Sequence, residues 1–133
     1  MFKYISLYFL TFIFFLAIDF VWLNFIAKDL YQKEIGTLLL KNPNLLPALI
    51  FYLLFVLAIV VILVVPGIKE GDLVKTLIFA ALFGLTTYAT YDLTNLATLN
   101  GWSIKITIID LIWGTSISTI TALVGFYIGS KII

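Results

Sequence analysis

LLPALIFYLLFVLAIVVILVV, from Leu45 to Val65, runs for 21 residues without a charged side chain. As a helix rising 1.5 Å per residue it would be about 31 Å long, the thickness of a bilayer's hydrocarbon core. The stretch reads as a membrane span, and its neighbours decide what surrounds it. Pro66-Gly67 is expected to break the helix, Lys69-Glu70-Gly71 to form a tight loop, and Asp72 to cap the next helix. A connection that short leaves room only for a hairpin.

Working outward, a third apolar run extends from about Leu73 to Leu99, and Asn100-Gly101 supplies the left-handed stop found past helix ends. Ser103 is placed to cap a fourth run that continues to about Gly129. Upstream, a first run from about Tyr4 to Ala27 is longer than a signal peptide's apolar region and has no small-residue cleavage site, so it reads as a retained span. Between the first two runs, Leu30, Tyr31, Ile35, Leu38 and Leu39 are spaced for a short helix along the interface, with a plain solvated linker as the alternative. The expected fold is all-α: one polytopic membrane domain, residues 1–133, with four transmembrane helices (about 4–27, 45–65, 73–99 and 103–129) in an up-down bundle.

Composition agrees. Hydrophobic residues make up 63% of the chain and charged ones 11%, outside the soluble range, so the apolar surface must face lipid. The expected partner is the lipid bilayer, and the expected location is a multi-pass place in the cell membrane. With neither cysteine nor histidine, no disulfide, haem ligand, thiolate or imidazole metal site, or histidine acid-base chemistry is available. A net charge of +1 carried by scattered lysines gives no basic patch for nucleic acid. Both termini fall on one face of the membrane, side A, and the first and third loops on side B. Four lysines lie towards each side (Lys3, Lys69, Lys75, Lys131 against Lys28, Lys33, Lys41, Lys105), so the positive-inside rule assigns neither to the cytoplasm.

Polar residues inside the spans single out a site. The block Thr87-Tyr88-Ala89-Thr90-Tyr91-Asp92-Leu93-Thr94-Asn95-Leu96-Ala97-Thr98 brings a carboxylate, phenols, hydroxyls and an amide into the third span. Each unsatisfied polar group there costs several kcal/mol. By helical rise, Asp19, Asp92 and Asp110 all lie roughly 10–12 Å from side B, and Tyr52 reaches the same level. At 100° per residue, Thr87, Tyr88, Tyr91, Asp92, Thr94, Asn95 and Thr98 cover roughly 160° of the third helix, an arc expected to face the interior. Ser103, Thr107, Asp110, Gly114, Ser118, Thr121 and Gly125 form a small and polar stripe on the fourth, suited to close packing within one bundle or between two copies as a homo-oligomer. On the first helix Tyr8, Phe12, Phe15, Leu16, Leu23 and Ile26 share the face of Asp19. Ile18-Asp19-Phe20-Val21-Trp22 and Ile109-Asp110-Leu111-Ile112-Trp113 echo one another, so each acid gains a tryptophan, Trp22 or Trp113, one turn along whose indole N–H is expected to serve it.

These residues carry a resemblance. DFVWL (Asp19–Leu23), Tyr31, Gly36, Leu38-Leu39, Pro43, Phe51-Tyr52, Pro66, the block GLTTYATYDLTNLATLNGW (Gly84–Trp102), Asp110 and Trp113-Gly114 resemble a family of small four-helix membrane proteins catalogued as domain of unknown function 2177. Asn24 stands where that family more often has glycine. The resemblance implies a fold and a candidate site, and no activity.

Three aspartates without an intramembrane lysine or arginine repel one another unless some are protonated or a cation lies between them. One reading is a pocket open to side B that binds a small lipophilic or cationic molecule. Asp19, Asp92 and Asp110 would act as acid and base, and Tyr52, Tyr88, Tyr91, Asn95, Trp22 and Trp113 would orient the ligand. A variant holds a magnesium-like ion on Asp92, Asn95 and Asp110. A second reading is a proton- or cation-coupled small transporter, and a third is a structural protein whose polar groups only join helices.

Overall fold

The computed structural model describes residues 1–133, and all of its regular structure is helical, without strands. Its elements are α1 (Phe2–Val21), a π-helical turn (Trp22–Ile26), α2 (Lys28–Ile35), a 3₁₀ turn (Gly36–Leu38), α3 (Leu45–Ala58), a second π-helical stretch (Ile59–Val64), α4 (Val65–Glu70), α5 (Leu73–Thr98) and α6 (Ile104–Ile132). They merge into four helices long and apolar enough to cross a membrane: Phe2–Ile26, Leu45–Glu70, Leu73–Thr98 and Ile104–Ile132. The expected all-α, four-span architecture is the observed one.

Local chemistry sets the ends. The Asn44 side chain accepts from the Leu46 N–H, Asp72 from Lys75 and Ser103 from Ile106, so each later span starts on a side-chain cap. Pro47, on the first turn of α3, costs nothing there because its missing N–H would have had no intrahelical partner. Gly71 (φ 69°) supplies the left-handed residue that turns the second span into the third.

Pro66-Gly67 does not end the second span, contrary to expectation. The helix widens to π geometry over Ile59–Val64 and then continues through Pro66 to Glu70. Local π adjustment of this kind lets membrane helices carry proline, because it makes room for the ring and re-pairs the freed carbonyls. Gly67 also has a contact that requires it: an added Cβ would collide with Thr76 Oγ1. The second and third spans therefore meet tightly at side A.

The core is a column of Leu7, Phe15, Val56, Ile59, Val64 and Ile117, all fully buried, drawn from the first, second and fourth spans. α5 and α6 form the most extensive helix pair. The α6 stripe is buried in that bundle: Gly114 lies under the Tyr88 ring, and Gly125 against Val64 and Thr11. Its use is thus within one chain. Most other hydroxyls on α5 and α6 do not bridge helices. Thr86, Thr87, Thr90, Thr98, Thr115, Ser116 and Thr119 each donate to the carbonyl four residues back on their own helix.

Candidate functional site

The first loop forms the helix α2, which packs against the start of α6 at the side-B end of the bundle. The π turn at Trp22–Ile26, closed by the Ala27 N–H donating to the Trp22 carbonyl at 2.7 Å, swings the chain over the side-B end of the bundle. Ala27 and Ile35 are buried, and Glu34 Oε1 accepts from Ser103 Oγ at 2.9 Å, which ties α2 to the start of α6. Ser103 is also the α6 cap, so one hydroxyl fixes both elements.

This anchoring aims Tyr31 downwards. Its hydroxyl donates to Asp110 Oδ1 at 2.5 Å and accepts from the Trp22 indole at 3.2 Å. Burial first, and then the adjoining Asp110 carboxylate, push the Tyr31 phenol above its ordinary range, so it stays a donor. On the opposite wall, Tyr52 donates to Asp19 Oδ2 at 2.5 Å and the Trp113 indole donates to Asp19 Oδ1 at 3.1 Å. The two indoles stack face to face, centroids 4.4 Å apart and planes 8° from parallel. Each aspartate is therefore held by a phenol and, directly or through that phenol, by the tryptophan of the other aspartate's helix. The expected pairing of each acid with its own tryptophan is exchanged, because the indoles cross when the antiparallel first and fourth spans pack side by side.

Between these groups lies a cavity of about 400 Å³, within the range of small-molecule sites. Asp19 and Asp110 line it with Trp22, Trp113, Tyr31 and Tyr52, and Leu23, Phe51 and Phe55 add apolar wall. Thr87, Tyr88 and Tyr91 complete it from α5. Asp19, Asp110 and Tyr52 meet at one level, as helical rise predicts.

Asp92 stands apart from that lining. It is fully buried, and neither of its carboxylate oxygens has a hydrogen-bond partner. Asp110 is the acid that neighbours it across the α5–α6 contact, and two adjoining carboxylates can share a hydrogen bond only if one carries a proton. Asp92 thus backs Asp110 from behind the cavity wall.

Other expected residues fall elsewhere. Asn95 is half-buried beside Tyr91 and does not line the cavity. No cluster of three acidic, histidine or cysteine side chains is close enough to hold a metal ion. The polar arc of α5 is only partly inward, since Tyr91, Thr94 and Thr98 are exposed. Leu16, Leu23 and Ile26 are exposed although they share the Asp19 face by helical angle, and the π turn over Trp22–Ile26 shifts the last two from the α-helical register, Leu23 still lining the cavity. Asn24 satisfies its amide on the Phe20 carbonyl at 3.0 Å and takes no part in the site.

Sequence reasoning did not single out Tyr31, Phe51, Phe55, Thr87 or Leu23 as site residues. Thr87 and Leu23 had a signal in the inward arc of the third span and the Asp19 face of the first, and Tyr31 as the one phenol on the apolar face of the first loop. No curated protein and no solved structure matches the chain. The profile of a family described as a predicted membrane protein (DUF2177) spans residues 4–127, which include the whole cavity lining and all but the outer ends of the first and fourth spans, and the chain belongs to that family.

Proposed function

We propose that this integral membrane protein binds a small lipophilic molecule with a cationic or hydrogen-bond-donating group in the side-B cavity, within what we take to be the cell membrane. The observation that carries the reading is the paired cage. Two carboxylates, each fixed by a phenol 2.5 Å away, face an aromatic cavity large enough for a ligand. A charged side chain at membrane depth costs about 2.5–3.5 kcal/mol by insertion scales, and simple packing is served as well by residues that lack this cost. Three aromatic donors, Tyr31, Tyr52 and Trp113, pre-orient the carboxylates, and Trp22 steadies Tyr31, so little side-chain freedom is lost when a ligand arrives.

The Asp92–Asp110 pair adds a proton-holding element next to the ligand space, which suits acid-base work on a bound molecule. Phe15, Val56, Ile59 and Ile117 fill the layer towards side A, an arrangement that favours a pocket closed at depth over a path through the membrane.

Native mass spectrometry of the detergent-purified protein tests the reading. A small adduct is expected on the wild type and is expected to be lost from Asp19→Asn and Asp110→Asn variants that keep their helical content. An adduct retained at wild-type occupancy in both variants would refute the assignment.

A further inference from the structure

We infer that the cavity fills sideways from the bilayer, through a gap between α3 and α5, and that its ligand is a single-chain aliphatic amine with its head between Asp19 and Asp110 and its chain in the gap. The inference rests on the binding reading above and specifies its ligand class and route.

The gap follows from how the second and third spans pack. At side A they are pinned where Gly67 meets Thr76, and α5 packs on α4 and Ile59–Val64. Towards side B their backbones no longer pack: α5 has no close backbone neighbour on α3. Only rings bridge the space, with Phe55 5.4 Å from Phe83 and 6.0 Å from Tyr88 between centroids. The same two helix faces supply cavity lining, Phe51 and Tyr52 on one and Thr87 and Tyr91 on the other. Phe51 and Tyr91 are 45% and 58% exposed, so they form a rim. Phe51–Phe55 lie roughly 9–15 Å along the helix from its side-B start. At that depth the mouth faces acyl chains, and what enters must already be dissolved in lipid.

Charge selects the head group. Asp19 and Asp110 bring two carboxylates to the cavity, whose lining contains no lysine. Their fixed donors leave the space between them with acceptor capacity and no cation. An ammonium group supplies three donors and the missing charge, and the faces of Tyr88 and Trp113 can add cation–π attraction. The aliphatic tail then replaces lipid in the gap and needs no polar partner.

A dodecylamine bearing a diazirine at the far end of its chain tests this in phosphatidylcholine vesicles containing the full chain. Expected is saturable photolabelling of the segments around Phe51–Phe55 and Thr87–Tyr91, competed by dodecylamine but not by dodecanol. Thr87→Trp, which puts an indole on the α5 side of the gap and leaves both aspartates in the chain, should reduce the labelling at least five-fold. Labelling spread equally over the outer faces of α1 and α6, or unchanged by Thr87→Trp, overturns lateral entry. Equal competition by dodecanol overturns the amine. Quenching of Trp22 and Trp113 fluorescence by a short brominated amine separates the two levels. Quenching lost in the Asp19→Asn/Asp110→Asn double variant, without labelling at the gap in the wild type, removes the route and keeps the pocket. Labelling and quenching that both persist in the double variant remove the pocket with it.

Discussion

Replacing Gly84 by alanine should destabilise the bundle by about 1–2 kcal/mol, although alanine is the better helix former by about 0.5–1 kcal/mol. Gly84 sits where α5 crosses α6. An added Cβ would lie 2.7 Å from Ser118 Cβ and 2.6 Å from its Oγ, whereas ordinary contact begins at 3.4 Å. It would also collide with the Gly114 carbonyl oxygen, which is backbone and cannot swing aside. Relieving Ser118 Cβ alone takes about 0.7 Å and the backbone carbonyl takes more, so the helices must part along the most extensive interface in the molecule. Overpacking of this kind costs about 1–3 kcal/mol, more than the propensity gain. Reversible unfolding in mixed micelles, followed by circular dichroism, measures the difference. A Gly84→Ala/Ser118→Gly double variant should recover part of the loss, with a coupling of at least about 0.5 kcal/mol. A Gly84→Ala protein as stable as the wild type, or strict additivity in the double variant, would refute the close-contact argument.

Three further outcomes follow from the site. Because the Tyr31 phenol is pushed above its ordinary value of 10.0, the unfolded chain gives up that proton first as pH rises. Its contribution is intact below pH 10 and declines above it by up to about 1.4 kcal/mol per pH unit, so Tyr31→Phe should show a flatter alkaline loss than wild type in pH-dependent unfolding, and identical slopes would contradict the bond to Asp110. Asp92→Asn should match the wild type or exceed it by about 1 kcal/mol, since an amide can donate to Asp110 where two carboxylates need a shared proton; a loss above about 2 kcal/mol in the same titration would show that Asp92 has a partner of its own. Glu34→Ala removes the acceptor for Ser103 and should release α2, seen as at least ten-fold faster amide hydrogen exchange over Leu30–Ile35 with α6 unchanged; equal exchange would mean that burial of Ile35 alone holds the helix.

The candidate site was legible to different degrees for different residues. Asp19, Asp110 and Tyr52 could be brought to one level because depth depends only on helix rise and on boundaries marked by caps and glycines. Trp22 and Trp113 could be expected to serve carboxylates, but which carboxylate each serves depends on how two antiparallel helices face one another. The angular argument placed Asp92 on the inward side of α5, yet could not tell cavity lining from the layer behind it. Tyr91 and Asn95 lay near the edges of the same arc, where a small rotation moves a side chain from interior to rim.

The sequence by itself determined that this is a four-span membrane protein, where its spans begin, and the depth at which its acids sit, because hydropathy, capping and helical rise are local properties of consecutive residues. Only the tertiary structure decided that Pro66 is absorbed by a π stretch, that α2 folds in to place Tyr31 on Asp110, that the tryptophans exchange partners, and that α3 and α5 part towards side B. Those outcomes depend on helix rotation and on contacts between residues far apart in the chain, and these are settled by packing Gly67 on Thr76, Gly84 on Gly114 and Ser103 on Glu34. No periodicity within a single span encodes them.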